Sequence, residues 1–112
     1  QAKGNFERAI GINPDSPIPY FYQAEFYYKR QLYRKALKYY KEAYKHGYTK
    51  HYDTLYKLGD IYEKYGDTRS SLKYLREAFA QNPNDELNNK IMKVENANSI
   101  NNEYYSDTRI RN

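Results

Sequence analysis

The residues in this sequence whose type and spacing best suit metal ligands are two histidines, His46 and His51. They lie five residues apart around Gly47, whereas a protein metal site needs three or four ligands. No carboxylate shares a regular helical face with both of them, and the chain has no cysteine. The pattern therefore predicts two histidines in a turn and no metal site.

Motifs for catalysis are also missing from the sequence. The five glycines are isolated, so no phosphate-binding loop, dinucleotide fingerprint or nucleophile elbow occurs. Asp60 and Glu63 share a helical face, but Lys57 and Lys64 stand within four residues of them, a pattern typical of helix ion pairs. We therefore expect no catalytic residue and no cofactor.

Length and composition indicate one small domain with an aromatic core. The chain has 112 residues, of which 39% are hydrophobic and 16 are tyrosine. Because a tyrosine ring buries a large apolar area, we expect a core of Tyr, Leu and Ala. No run of about 18 apolar residues and no signal-peptide pattern occurs, so we expect neither a membrane span nor a signal segment. The sequence does not indicate a cellular compartment.

The positive charge is concentrated in one segment. Residues 29–50 hold eight basic residues and one acidic residue, a net charge of +7, so the rest of the +5 chain sums to −2. Four of these basic residues recur at helical spacings of four, three and four, and we call them the basic stripe: Arg34, Lys38, Lys41 and Lys45. They lie opposite the face of Ala36, Tyr40 and Ala43.

Self-comparison aligns the chain with itself at a shift of 34 or 35 residues. Three stretches then share one pattern. Each has a small residue, an aromatic residue or Leu four positions later, and another small residue three positions after that. They are Ala2, Phe6 and Ala9; Ala36, Tyr40 and Ala43; and Ser71, Leu75 and Ala78. An upstream pattern is shared by Tyr20, Gln23, Ala24 and Tyr27 with Leu55, Leu58, Gly59 and Tyr62.

This pattern resembles the tetratricopeptide repeat, and the match is best from Leu55 to Pro83. In this stretch the residues of the repeat signature are all present at the usual spacing: Leu58-Gly59, Tyr62, Gly66-Asp67, Ala78 and Asn82-Pro83. In the middle unit, Gln23 stands where Leu is usual, and Gln31 where a turn Gly is usual. The resemblance implies an all-α, right-handed helix-turn-helix solenoid that forms part of a longer repeat protein.

Start and stop signals predict helices at about 17–30, 33–46, 52–65 and 68–81. Ser16 and Asp85 are expected to cap helices, and Gly47 and Gly66 to end them. We expect the second half of a repeat at 1–16, full repeats at 17–51 and 52–85, a capping helix at 86–97 and a polar tail at 98–112. Leu58 and Tyr62 are expected to be almost fully buried.

The resemblance implies a concave groove lined by the first helix of each pair, which binds a protein or peptide. Projection of the solvent-side positions gives Ile18, Phe21, Tyr22, Glu25, Tyr28 and Lys29, then Asp53, Tyr56, Lys57, Asp60, Glu63 and Lys64. Aromatic rings among charges of both signs suit an extended peptide or a helix. Alternatively, Phe21 and Tyr28 pack between repeats, which leaves Tyr22 and Tyr56 as the stronger groove residues.

Other partners are weaker interpretations. A family subgroup grips the C-terminal carboxylate of heat-shock chaperones, but here only Lys57 fits, and Glu25 and Asp60 would repel a carboxylate. The basic stripe on the expected convex face is an alternative binding surface for nucleic acid or an anionic membrane. Its tyrosines do not form one stacking platform, which disfavours nucleic acid.

Self-association is a further alternative. The expected half-repeat leaves Phe6 and Ala9 uncovered, and the tail carries Tyr104 and Tyr105 with no core of their own. We expect one or both of these tyrosines to dock on the groove or on the open N-terminal flank.

Overall fold

The computed structural model describes residues 15–97, and within that range it is helical with no strand. The helices are α1 (Ile18–Lys29), α2 (Tyr33–Lys45), α3 (Tyr52–Lys64) and α4 (Thr68–Gln81), followed by α5 over residues 85–97. Helix α1 packs against α2, and α3 packs against α4, so successive helices form two helix-turn-helix pairs. The all-α fold class is confirmed.

Side-chain caps begin α1 and α5. The Ser16 hydroxyl accepts a hydrogen bond from the Ile18 N–H at 3.2 Å, as the sequence predicts. The expected cap of α5 at Asp85 is wrong by one residue. Asn84 Oδ1 accepts from the Leu87 N–H at 2.8 Å, three residues into the turn, so Asp85 is the first helical residue instead.

Three helices end at a residue with positive φ. Gly47 (φ 134°) and Gly66 (φ 78°) follow α2 and α3, as predicted from their position. After α1 the same role falls to Gln31, whose φ is 61°. Its N–H donates to the Tyr28 carbonyl at 2.9 Å, and the Leu32 N–H donates to Tyr27 at 3.0 Å, so the turn forms without glycine.

Close contact between α3 and α4 depends on Gly59. A Cβ atom placed on Gly59 would lie 2.5 Å from both Cγ and Cδ2 of Leu75. The same contact is fixed by a buried hydrogen bond of 2.8 Å, which the Ser71 hydroxyl donates to the Gly59 carbonyl. The small residue that the sequence pattern places here therefore sets the distance between the two helices.

Two apolar clusters form the core, and α3 contributes to both. Leu55 joins a cluster with residues of α4 and α5, which comprises Leu72, Leu75, Ala78, Leu87, Ile91 and Val94. Leu58 and Ile61 join a cluster with residues of α1 and α2, which comprises Ala24, Tyr27, Ala36 and Tyr40. The burial of Leu87, Ile91 and Val94 agrees with an α5 that has one apolar face.

The two core residues named from the repeat pattern differ in burial. Leu58 is fully buried, as expected. The expectation for Tyr62 is wrong, because it is only half-buried. Its ring stacks on Tyr74 of α4 at 5.8 Å, while the preceding residue, Ile61, fills the core.

Two expectations lie outside the described residues. The half-repeat covers 1–16, of which only the last two residues are described, and the tail covers 98–112. The docking of Tyr104 or Tyr105 stays a prediction.

Gly59→Ala is expected to destabilise the protein by about 1–3 kcal/mol, because the added methyl group overlaps Leu75. This loss should appear although alanine is the better helix former by about 1 kcal/mol. Urea unfolding measures it, with the exposed change Arg69→Ala on α4 as the control. A Gly59→Ala protein as stable as the wild type would show that the close contact is not required.

Gln23→Leu is expected to raise stability by about 1–3 kcal/mol. Gln23 is buried, and both polar atoms of its side chain lack a hydrogen-bond partner among the residues that the structure describes. Leucine has a similar size and occupies the equivalent place, Leu58, in the next repeat. Gln81→Leu, at an exposed position of α4, is the matched control for added hydrophobicity in thermal unfolding. An unchanged or lower midpoint for Gln23→Leu would contradict the expectation.

Candidate binding surface

A lysine–carboxylate bridge joins α1 to α3. Lys57 Nζ lies 2.9 Å from Glu25 Oε2, and both side chains are about three-quarters buried. The hydroxyl of Tyr40, which reaches over from α2, donates a hydrogen bond to the same carboxylate. Lys57 also lies 4.7 Å from the ring centroid of Tyr28. Three helices therefore meet at Glu25.

A second bridge joins α3 to α5. Lys90 Nζ lies 2.8 Å from Asp60 Oδ1 and 2.8 Å from Glu63 Oε1. The Tyr28 hydroxyl donates to the other Asp60 oxygen at 2.5 Å, and Lys64 approaches it at 3.6 Å. Asp60 follows Glu25 by 35 residues and Lys90 follows Lys57 by 33, so the two bridges occupy equivalent places in successive repeats.

The bridges set the ionisation of the groups that form them. Burial opposes the charged form of Asp60, but the hydrogen bonds from Lys90 and Tyr28 outweigh it and lower the pKa of Asp60. Burial also opposes the charge on Lys90, and its bonds to Asp60 and Glu63 instead raise its pKa. For Tyr28 and Tyr40, burial and a hydrogen bond to a carboxylate both raise the pKa, so these phenols stay protonated.

Most charges expected on the solvent side of the groove are engaged within the protein. Asp60 was expected to face solvent, and this is wrong, since it is only 7% exposed and bridged to Lys90. Lys57 and Glu25 are about three-quarters buried and bond each other. Sequence reasoning missed this because the partner of Asp60 lies on α5, 30 residues further along the chain.

Of the aromatic residues proposed for the groove, Phe21 and Tyr56 are half-buried and Tyr22 is exposed. Phe21 is half-buried and packs between repeats, with ring centroids 4.8 Å from His51 and 5.8 Å from Tyr48. Tyr56 is also half-buried, and Lys90 lies 5.5 Å from its ring centroid. Tyr22 is 56% exposed.

The exposed residues of the expected groove are Ile18, Tyr22, Lys29, Asp53 and Lys64. Ile18 and Tyr22 lie four residues apart and therefore on the same side of α1. A cavity of about 320 Å³ adjoins Tyr22 and is lined by Tyr22, Glu25, Phe26, Lys29 and Arg30. Within it, the Arg30 guanidinium lies 3.7 Å from the centroid of the Phe26 ring. The accessible part of the surface is thus an apolar ridge with a basic end.

All four residues of the basic stripe are exposed, while Ala36, Tyr40 and Ala43 on the opposite side of α2 are buried. Lys45 lies 3.7 Å from Glu42 in an ion pair. The stripe is therefore an accessible charged face of α2.

The two histidines have structural contacts. His51 precedes α3, and its Nδ1 accepts a hydrogen bond from the Thr54 N–H at 3.3 Å, which makes it an N-cap that the sequence reasoning did not identify. His46 stacks on Tyr20 at 4.6 Å. Among residues 15–97, no group of three or more His, Cys, Asp or Glu side chains could hold a metal ion.

Comparisons with known proteins identify tetratricopeptide repeats in proteins similar to this chain. A family model described as YpiA-like, tetratricopeptide repeats, matches residues 2–48. A TPR repeat-containing protein of Methanocaldococcus jannaschii is 37% identical over 70 residues, which are 62% of this chain and 12% of that relative. The chain therefore spans about an eighth of the length of this curated relative.

A solved structure has the same fold. The N-terminal domain of stress-induced protein-1 (STI-1) from C. elegans superposes with a TM-score of 0.69 and 16% identity, over 80% of this chain and 76% of that domain. None of the described helices is both long enough and apolar enough to cross a membrane.

The Asp60–Lys90 bridge predicts a defined pH dependence of stability. Because the folded pKa of Asp60 is lowered, its contribution is present above about pH 4 and is lost as the pH falls through the folded pKa. Asp60→Asn should reduce stability by about 1–3 kcal/mol at neutral pH. The difference between wild type and Asp60→Asn should shrink towards about pH 2 in urea unfolding.

Asp53→Asn is the matched control for this experiment, because Asp53 is an exposed carboxylate on the same helix. Its effect on stability should be small at every pH. A difference for Asp60→Asn that stays constant from neutral to acid pH would contradict the role given to the bridge.

Proposed function

We propose that this chain, which matches tetratricopeptide repeats in sequence and in fold, binds a peptide or protein segment, because that fold generally serves as a non-enzymatic scaffold for protein–protein interaction. The binding surface is the exposed side of α1 with the adjoining edge of α3. The proposed site residues are Ile18, Tyr22 and Lys29 on α1, and Asp53 and Lys64 on α3. Phe21, Glu25, Tyr56, Lys57 and Asp60 support that surface from below.

The observation that carries this proposal is the pair of large exposed side chains on α1. Ile18 is 50% exposed and Tyr22 is 56% exposed, one helical turn apart. Aromatic side chains beside a cavity are the usual anchors of an interface, because they bury a large area with few rotatable bonds. The cavity next to Tyr22 has room for a side chain of the partner.

The internal bridges disfavour a partner that binds through a carboxylate on Lys57. Lys57, the one residue that fits a carboxylate grip, already bonds Glu25 at 2.9 Å. Releasing Lys57 for a ligand would leave Glu25 half-buried and without its cation, which is costly. The partner is therefore an apolar or aromatic segment that meets Tyr22, and its acidic groups would lie near Lys29 and Arg30.

The alternatives are less well supported. Nucleic acid binding through stacked bases needs free rings, but Tyr39 beside the basic stripe already stacks on Tyr27 at 5.7 Å. An anionic membrane would attract the stripe mainly by charge, since the large exposed apolar side chains near it, Leu32 and Tyr65, lie only at its Arg34 end. Self-association through the half-repeat or the tail concerns residues outside the described range.

Tyr22→Ala is expected to weaken peptide binding about tenfold or more, because the ring is the main exposed anchor. Peptides are first selected from a random display library on the immobilised chain, and their affinities are then measured by isothermal titration. Tyr65→Ala is the matched control, because Tyr65 is 51% exposed directly after α3 and lines a different cavity, together with Leu32 and Arg34.

Both variants should unfold at the wild-type temperature, since each removes an exposed ring. If Tyr65→Ala weakens the selected peptides as much as Tyr22→Ala does, the surface proposed here is not the binding site.

A further inference from the structure

The basic stripe of α2 has a counterpart on α4. Arg69, Lys73 and Arg76 follow Arg34, Lys38 and Lys41 by 35 residues each, and all six side chains are exposed. The repeat period therefore places two equivalent basic rows on the second helices of successive pairs. Sequence reasoning found only the first row, although the period of 35 residues indicates the second.

The two rows differ in their partners. On α4, Lys73 lies 3.2 Å from Glu77, and Arg76 lies 2.6 Å from Glu95 of α5. On α2, none of Arg34, Lys38 and Lys41 forms an ion pair within the described part of the chain. The row on α2 therefore carries three cations without an ion pair among the described residues, whereas two of the three cations in the row on α4 are paired.

A shallow cavity, wide open to solvent, lies within the unpaired row. It has a volume of about 270 Å³ and is lined by Arg34, Leu37, Lys38, Lys41 and Glu42. Leu37 is half-buried and gives this cavity an apolar floor between three cations. An apolar floor with a basic rim fits a short apolar side chain that is flanked by carboxylates.

We propose that this face of α2 binds an acidic peptide segment that carries one apolar anchor residue. The anchor enters the cavity over Leu37, and carboxylates on either side of it pair with Arg34, Lys38 and Lys41. In an extended segment, alternate residues point to one side about 6.6 Å apart, close to the spacing of about 5–6 Å between side chains three or four positions apart on a helix.

The same features favour a peptide over the other polyanions. A nucleic acid or an anionic membrane would gain from a broad basic surface, but two of the three cations in the neighbouring row on α4, Lys73 and Arg76, are paired with carboxylates. Glu42 on the rim of the cavity repels any nearby anion, and a peptide can place an uncharged residue beside it, whereas a continuous line of phosphates cannot. An apolar floor adds nothing to the binding of a phosphate. This site is independent of the surface proposed on α1.

The test uses the full chain and a short fluorescent peptide in which Glu alternates with Ser around one central Leu. Lys38→Gln with Lys41→Gln removes two charges from the unpaired row, and Lys73→Gln with Arg76→Gln removes two from the paired row. Anisotropy should show that the first variant binds the peptide about tenfold more weakly, and that the second binds as the wild type does. Equal weakening in both variants would mean that net charge alone attracts the peptide, and would overturn the proposal.

Two further comparisons separate the partners. Replacing the central Leu of the peptide with Ser should weaken binding several-fold if the cavity takes the anchor, and an unchanged affinity would contradict this. A uridine oligonucleotide of equal charge and phosphatidylserine vesicles should bind more weakly than the peptide at physiological salt. Tighter binding of either would assign the face to that ligand. Equal thermal midpoints for all variants confirm that the fold is intact.

Discussion

Stacking of the two helix pairs depends on α3, because this helix supplies apolar side chains to both cores. Leu55 belongs to the cluster formed with α4 and α5, while Leu58 and Ile61 belong to the cluster formed with α1 and α2. Neither pair can bury its apolar flank alone, so the stability of such a fold lies largely in the interfaces between neighbours. Gly59 sets how closely α3 approaches α4, and so how Leu75 of α4 packs in the cluster that Leu55 joins.

The lysine–carboxylate bridges add to this arrangement both stability and a preferred register. Desolvation offsets part of the attraction within a partly buried ion pair, and the loss of one member leaves a buried charge without a partner. Glu25 with Lys57, and Asp60 with Lys90, therefore favour one register of α1, α3 and α5. This has a functional consequence: the charges that look available for a ligand are already used to hold the repeats together.

Sequence reasoning succeeded where the signal is local or periodic, and failed where it depends on distant partners. Helix bounds agree within about one residue, because glycine turns act over a few positions and the repeat period recurs along the chain. The burial of Asp60 could not be predicted, because the lysine that compensates it lies on a helix outside the repeat motif. The cap at Asn84 rather than Asp85 is a choice between adjacent residues of similar chemistry, which backbone geometry decides.

The two proposed binding surfaces lie on different helices of the same pair, and their chemistry differs. The surface on α1 presents Ile18 and Tyr22, so its contribution is mainly burial of apolar area, which salt affects little. The face of α2 presents unpaired cations around Leu37, so its contribution falls as ionic strength rises. Because Tyr40 lies buried between these helices, with its hydroxyl on Glu25, both surfaces are held by the same core contact. A partner on either surface therefore stabilises the pair that presents the other, by mass action on the folded state.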